Sequence, residues 1–232
     1  MTLLFSNFKR KRLKEGDRHI HFLTDRLVFP PVEEANSEGL LAVGGDLSTE
    51  RLLLAYQNGI FPWFNDSSLI MWWSPDPRMV LFPNKVRISK SMRKIIRDGK
   101  FKFTKNKSFK KVMEHCAAIA RKDQEGTWIT QEMKDAYWEL HKKGYAQSYE
   151  VWENGELVGG LYGIDLGHIF CGESMFSLKT NSSKFAFIQL AKELEAQNYK
   201  VIDCQLYTNH LASLGAEEMS RASFIKLLKG KN

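Results

Sequence analysis

The 232-residue chain is expected to fold as an α+β protein, and three features carry that expectation. In its second half, strand-like stretches surround one long helical stretch. Two of those strands are joined by Asn154-Gly155, the strongest short hairpin signal. In its first half, helical stretches are punctuated by polar caps and glycine stops. The length suits one large domain or two small ones, with enough apolar residues to bury a core.

Taken in order, "DLSTERLLLAYQNG" reads as a helix with Ser48 as N-cap and Gly59 as stop. "GIFPWFNDSSLIMWWSPDPR" follows, a turn-rich segment with three Trp and three Pro. Helices are predicted over Ser89 to Asp98, ended by Gly99, and over Ser108 to Arg121, where Phe109, Val112, Met113, Cys116 and Ala120 form one stripe. Another runs from Thr130 to Lys143 and stops at Gly144. "AQSYEVWENGELVGGLYGI" supplies the two hairpin strands and "HIFCGESMF" a third. "NSSKFAFIQLAKELEAQ" is a helix with polar caps at Asn181 to Ser183, "KVIDCQLYT" a fourth strand, and short helices start from Asn209 and Ser220. There is no internal repeat and no low-complexity linker.

Composition narrows the class. Hydrophobic content of 43% and charged content of 26% are ordinary for a soluble globular protein. No apolar run approaches the ~20 residues of a membrane span, and no cleavable signal pattern opens the chain. Cys116, Cys171 and Cys204 are odd in number and far apart, and no Cys/His pair has zinc-finger spacing. A reduced, cytoplasmic, metal-free protein is expected. The net charge of +7 is unevenly spread: Asn84 to Lys111 holds twelve Lys or Arg against Asp98 alone, and "NFKRKRLK" adds to a basic N-terminal segment. A basic patch on an otherwise mildly acidic body suits a polyanion gripped through its phosphates, and equally a solvated lysine-rich helix face.

The chemistry falls on the strands. In "VIDCQLY", strand alternation projects Asp203 and Gln205 from one face and Ile202, Cys204 and Leu206 from the other. In "HIFCGESMFS", Glu173 shares a face with Ile169, Cys171 and Met175. A carboxylate among hydrophobes costs several kcal/mol unless paired. Two separate strands each place one there, which favours a site over two buried structural pairs. Other classes fare worse. "VGGLYG" lacks the third glycine of a dinucleotide loop and no P-loop occurs. No G-x-S-x-G elbow is present. Cys171 reads as a structural thiol and the histidines as structural, His210 lying nearest the site.

"GLLAVGGDLSTERLLLAYQNGIFPWF", "WWSPDPR", "EGTWIT", "FCGESMFS" and "IDCQ…HLASLGA" together resemble the leucyl/phenylalanyl-tRNA–protein transferases, in order, from about Phe29 to Leu228. These enzymes move Leu or Phe from a charged tRNA onto the N-terminal Arg or Lys of a protein, marking it for N-end-rule degradation. The resemblance implies a small N-terminal α/β domain over residues 1–77. A larger domain over residues 78–232 would be related to the acetyltransferase superfold, with a mixed sheet flanked by helices.

The resemblance also implies roles. Asp203 and Gln205 match the family's catalytic pair and Glu173 a carboxylate of the active site. Tyr56, Trp63 and Trp128 match aromatics at the aminoacyl-adenosine end of the tRNA. Phe170, Met175, Ile202, Leu161 and Leu190 fall where the family builds its apolar side-chain pocket, Leu161 and Leu190 standing where bulkier or more flexible residues are expected. Lys90, Arg93, Lys94 and Arg97 of the basic patch are expected to hold the tRNA backbone. The implied partners are Leu-tRNA, Phe-tRNA (Met being a possible third amino acid) and proteins with N-terminal Arg or Lys. No membrane, cofactor or metal is implied, and a monomer is expected. The aminoacyl ester is an activated donor, and an α-amine of pKa ~7.7–8.0 is partly neutral near pH 7. Gln205, oriented by Asp203, would then hydrogen-bond the attacking amine, while Glu173 would hold the cationic acceptor or order the site. Two other classes stay open. An acyl-CoA acetyltransferase needs a glycine-rich phosphate loop where this chain reads "SLKTNSSKFA". A non-catalytic RNA-binding module would explain the charge but not the carboxylates.

Overall fold

The computed structural model describes residues 20–65, 68–119 and 129–230. The first sheet comprises β1 (His21–Leu23), β2 (Leu40–Gly44), β3 (Phe61–Pro62) and β4 (Met71–Trp73) in the order β1-β2-β4-β3, with helix α1 (Thr49–Gln57) leading from β2 to β3. The Ser48 side chain caps α1 by accepting from the Arg51 amide. Gly59 ends the turn after it at φ +73°, where a Cβ would lie 2.5 Å from Ile225.

The second sheet has seven strands. In chain order these are β5 (Arg78–Leu81), β6 (Lys102–Lys105), β7 (Ala146–Glu153), β8 (Glu156–Asp165), β9 (Ile169–Ser177), β10 (Val201–Gln205) and β11 (Glu217–Met219). Their order across the sheet is β11-β5-β10-β9-β8-β7-β6. All neighbours are antiparallel except β9 and β10. The hairpin turn has Asn154 and Gly155 both at positive φ, as the tight type I′ connection requires. This is the α+β arrangement expected, a mixed sheet flanked by helices.

Helices α2 (Lys90–Arg97), α3 (Phe109–Ala118), α4 (Gln131–Lys142), α5 (Ser182–Ala196), α6 (Asn209–Ser213) and α7 (Arg221–Lys229) complete the chain. Ser89, Thr130, Thr208 and Ser220 each cap the following helix through the side chain. The apolar stripe of α3 is buried through Phe109, Val112, Met113 and Cys116, and Ala120 lies outside the described residues. One core packs α1, α3, α4, α7 and the first sheet against one face of the large sheet, around Trp72, Phe64, Tyr137 and Phe224. A second core packs α2, α5 and α6 against the other face, around Phe170, Ile188 and Ile202. Among the described residues no helix is long and apolar enough to cross a membrane.

Candidate active site

The site forms where β9 and β10 part. They pair from Val201↔Ile169 to Asp203↔Cys171, after which β9 runs on to Ser177 and β10 ends at Gln205. A cavity of about 500 Å³ is lined by both strands and by α5. Leu161, Met175, Phe187, Leu190 and Ile202 supply apolar wall, and Glu173, Ser183, Thr208 and His210 polar wall.

Both strands are irregular at the residues of interest. Across β8 and β9, Tyr162 faces Ser174 and Gly163 faces Gly172, so Glu173 is the extra residue of a bulge. A one-residue bulge reverses the alternation beyond it. Cys171 and Phe176 therefore pack in the core that holds Tyr137, whereas Met175 packs on the α5 side. The expectation that Met175 shares the Glu173 face is corrected accordingly. In β10 the register slips between Asp203 and Gln205. Gln205 has φ +64°, and the Leu206 N–H donates to the Cys204 carbonyl at 2.7 Å. Gln205 is thus the apex of a γ-turn, a rare and strained conformation.

Hydrogen bonds join the three polar residues. Asp203 Oδ1 accepts from the Gln205 backbone N–H at 3.0 Å. Gln205 Nε2 donates to Glu173 Oε1 at 2.9 Å, and the Tyr137 hydroxyl donates to Glu173 Oε2 at 3.0 Å. Tyr137 in turn hydrogen-bonds the Tyr56 hydroxyl. On the other side Arg78 donates to Asp203 through Nε at 2.8 Å and Nη2 at 2.7 Å. All three are buried (Glu173 3% exposed, Gln205 2%, Asp203 0%), and of the three Glu173 alone lines the cavity.

Burial sets the electrostatics. Removal from water pushes the Glu173 carboxyl up to about 7, with Asp203 adding to the rise and hydrogen bonds from the two tyrosines and Gln205 opposing it. The Tyr56 and Tyr137 hydroxyls are driven well above the usual phenol range by burial and then by the Glu173 charge. His210 is held below its ordinary value by burial and by Lys184. Cys204, in the cavity wall, is a buried thiol pushed up by burial, so it stays protonated. Among the described residues no three His, Cys, Asp or Glu side chains cluster as a metal site would.

Of the five residues expected to form the side-chain pocket, Leu161, Met175, Ile202 and Leu190 line the cavity and Phe170 does not. Phe170 lies opposite Ile202, where the strands are still paired, and is enclosed against Gly163 and edge-on to Tyr149. Tyr56 is 1% exposed, so no ring face is open to a stacked base; its contribution runs through its hydroxyl. Trp63 is half-buried and edge-on to Trp73. Trp128 lies outside the described residues. Lys90, Arg93, Lys94 and Arg97 are all exposed on α2, with Arg97 paired to Asp98. Sequence reasoning missed Arg78, Tyr137 and Phe187. An arginine opening the apolar run "RMVLF" was the available signal for the first, since such a cation must find a buried acid.

Comparisons with known proteins cover sequence and fold. Residues 80–229 match the family described as leucyl/phenylalanyl-tRNA protein transferase, and residues 45–76 match its N-terminal domain. The chain is 59% identical to the leucyl/phenylalanyl-tRNA–protein transferase of Flavobacterium johnsoniae, over 91% of this chain and 100% of that one. It is 54% identical to the protein of that name from Christiangramia forsetii, over 90% and 100%. Among solved structures, a GCN5-related N-acetyltransferase from Kribbella flavida aligns at 9% identity and a TM-score of 0.35, over 72% of this chain and 60% of that one.

Proposed function

The chain belongs to the leucyl/phenylalanyl-tRNA protein transferase family, and from that membership we propose that it moves Leu or Phe from charged tRNA onto the N-terminal Arg or Lys of acceptor proteins. The observation that carries the chemistry is Glu173, a single carboxyl set in the wall of a largely apolar cavity of about 500 Å³. The apolar wall takes the side chain of the transferred residue. Hydrophobic pockets discriminate by only ~1–3 kcal/mol per methylene, so one cavity serves both Leu and Phe.

The reaction needs a proton acceptor and close positioning. The acceptor's neutral α-amine attacks the ester carbonyl, a C–N bond forms, and the bond to the ribose oxygen breaks. The proton lost by the amine ends on that oxygen. Glu173, with its carboxyl near 7, is matched to receive it and return it. This reading moves the amine contact from Gln205, the expected partner, to Glu173, because Glu173 lines the cavity and Gln205 and Asp203 do not. Holding donor and acceptor in register contributes up to ~7–11 kcal/mol. The tRNA body is gripped through phosphates by Lys90, Arg93, Lys94 and Arg97 of α2. Charged tRNA as donor places the reaction in the cytoplasm. The test is incubation with tRNA carrying radiolabelled Leu and a protein beginning with Arg. Label is expected in the protein, and label that stays on the tRNA overturns the reading.

A further inference from the structure

We propose that Arg78 is the positioning residue of this site, and that Asp203 serves as the post through which it holds Gln205 and, by way of Gln205, Glu173. This rests on the proposed transfer reaction. Three donors converge on Asp203: Arg78 Nε and Nη2 and the Gln205 backbone N–H. Both side chains of the Arg78–Asp203 pair are 1% exposed. Asp203 does not line the cavity, which keeps its oxygens from a substrate amine.

What Asp203 holds is a strained backbone. Its Oδ1 to Gln205 N–H bond makes an Asx-turn, and the γ-turn at Gln205 follows directly. That turn carries the Gln205 amide to Glu173. Arg78 fixes the post from outside the strand. Its guanidinium lies between the Phe61 ring at 4.9 Å and the Phe224 ring at 4.8 Å, and its third donor, Nη1, reaches the Gly59 carbonyl at 3.2 Å. A planar fork does this and an ammonium does not. The hydrogen-bonded chain from Arg78 through Asp203, Gln205, Glu173 and Tyr137 ends at Tyr56. Its two ends therefore meet the same short stretch at the C-terminal end of α1, at Tyr56 and at Gly59.

The test is Arg78→Lys, which keeps charge and burial but cannot form the bidentate pair. Thermal unfolding checks that the variant folds. The groups facing Glu173 are Tyr56 from α1, Tyr137 from α4, Gln205 and Asp203 from β10, Arg78 from β5 and Cys171 from its own strand. Releasing Gln205 removes a donor that stabilises the Glu173 anion. The expected result is a kcat at least tenfold lower, KM for charged tRNA unchanged, and an acid limb of the rate profile moved to higher pH, in the same direction as in Gln205→Ala. If Arg78→Lys does not fold, the paired chain Arg78→Gln with Asp203→Asn, which buries no unpaired charge, carries the same expectation for kcat and KM, while loss of the Asp203 charge pulls its acid limb toward lower pH. A folded variant with kcat within twofold of the original and an unmoved acid limb would overturn the assignment. Failure of the unaltered protein to transfer label would instead sink the transfer reading, and this inference with it.

Discussion

At the scale of single residues, Glu173 is the group whose removal is most informative. Glu173→Gln keeps the side-chain shape and removes the titration, and transfer is expected to fall by ~10²–10⁴-fold, the usual weight of general acid–base help. In the unaltered protein the rate should fall as pH drops below about 7, where the carboxyl protonates. Stability carries the opposite sign. The folded carboxyl sits at about 7 against an ordinary 4.5. Folding is therefore unpenalised below 4.5 and loses stability as pH rises to 7, by ~1.4 kcal/mol per unit of separation. Denaturant titrations from pH 4 to 8 should show that slope, and show it flattened in Glu173→Gln. Glu173, Asp203 and Gln205 were legible because polar groups in apolar strands stand out. Arg78 and Tyr137 were not, since what defines them are partners 125 and 36 positions away.

At the scale of elements, the helices could be read from their caps, because a serine or threonine before an amphipathic run is a local signal. β5 could not. Buried along its whole length between β10 and β11, it shows no alternation. β6 hid inside the basic patch: it is an edge strand whose Lys102 and Lys105 also discourage pairing with other chains. The bulges at Glu173 and before Gln205 leave no mark in the alternation that sequence displays, so the Met175 facing was misread. Two consequences are measurable. Filling the cavity with Leu190→Phe should disfavour the larger amino acid and lower the use of Phe relative to Leu by roughly tenfold, measured by competing the two charged tRNAs. Replacing Arg93, Lys94 and Arg97 of α2 by Glu should weaken tRNA binding and reduce the slope of affinity against salt.

At the scale of the whole molecule, the buried Arg78–Asp203 pair ties together segments far apart in sequence. Asp203→Ala leaves a guanidinium enclosed without its counter-charge, at a cost of ~3–5 kcal/mol. That should lower the melting temperature by roughly 10 °C. Calorimetry of this variant should precede any reading of its activity, since lost transfer there reports a weakened fold as well as a disturbed site.

The stretch from Tyr56 to Gly59 has a practical corollary for anyone hoping to work with a minimal enzyme. Trimming the polypeptide to begin at Arg78 would strip Tyr137 of its phenolic neighbour, Arg78 of a carbonyl and an aromatic lid, and Trp72's side of the interior of its cover. Such a fragment is expected to precipitate on expression rather than yield a smaller working catalyst, and co-expressing the excised piece in trans is the remedy the geometry recommends.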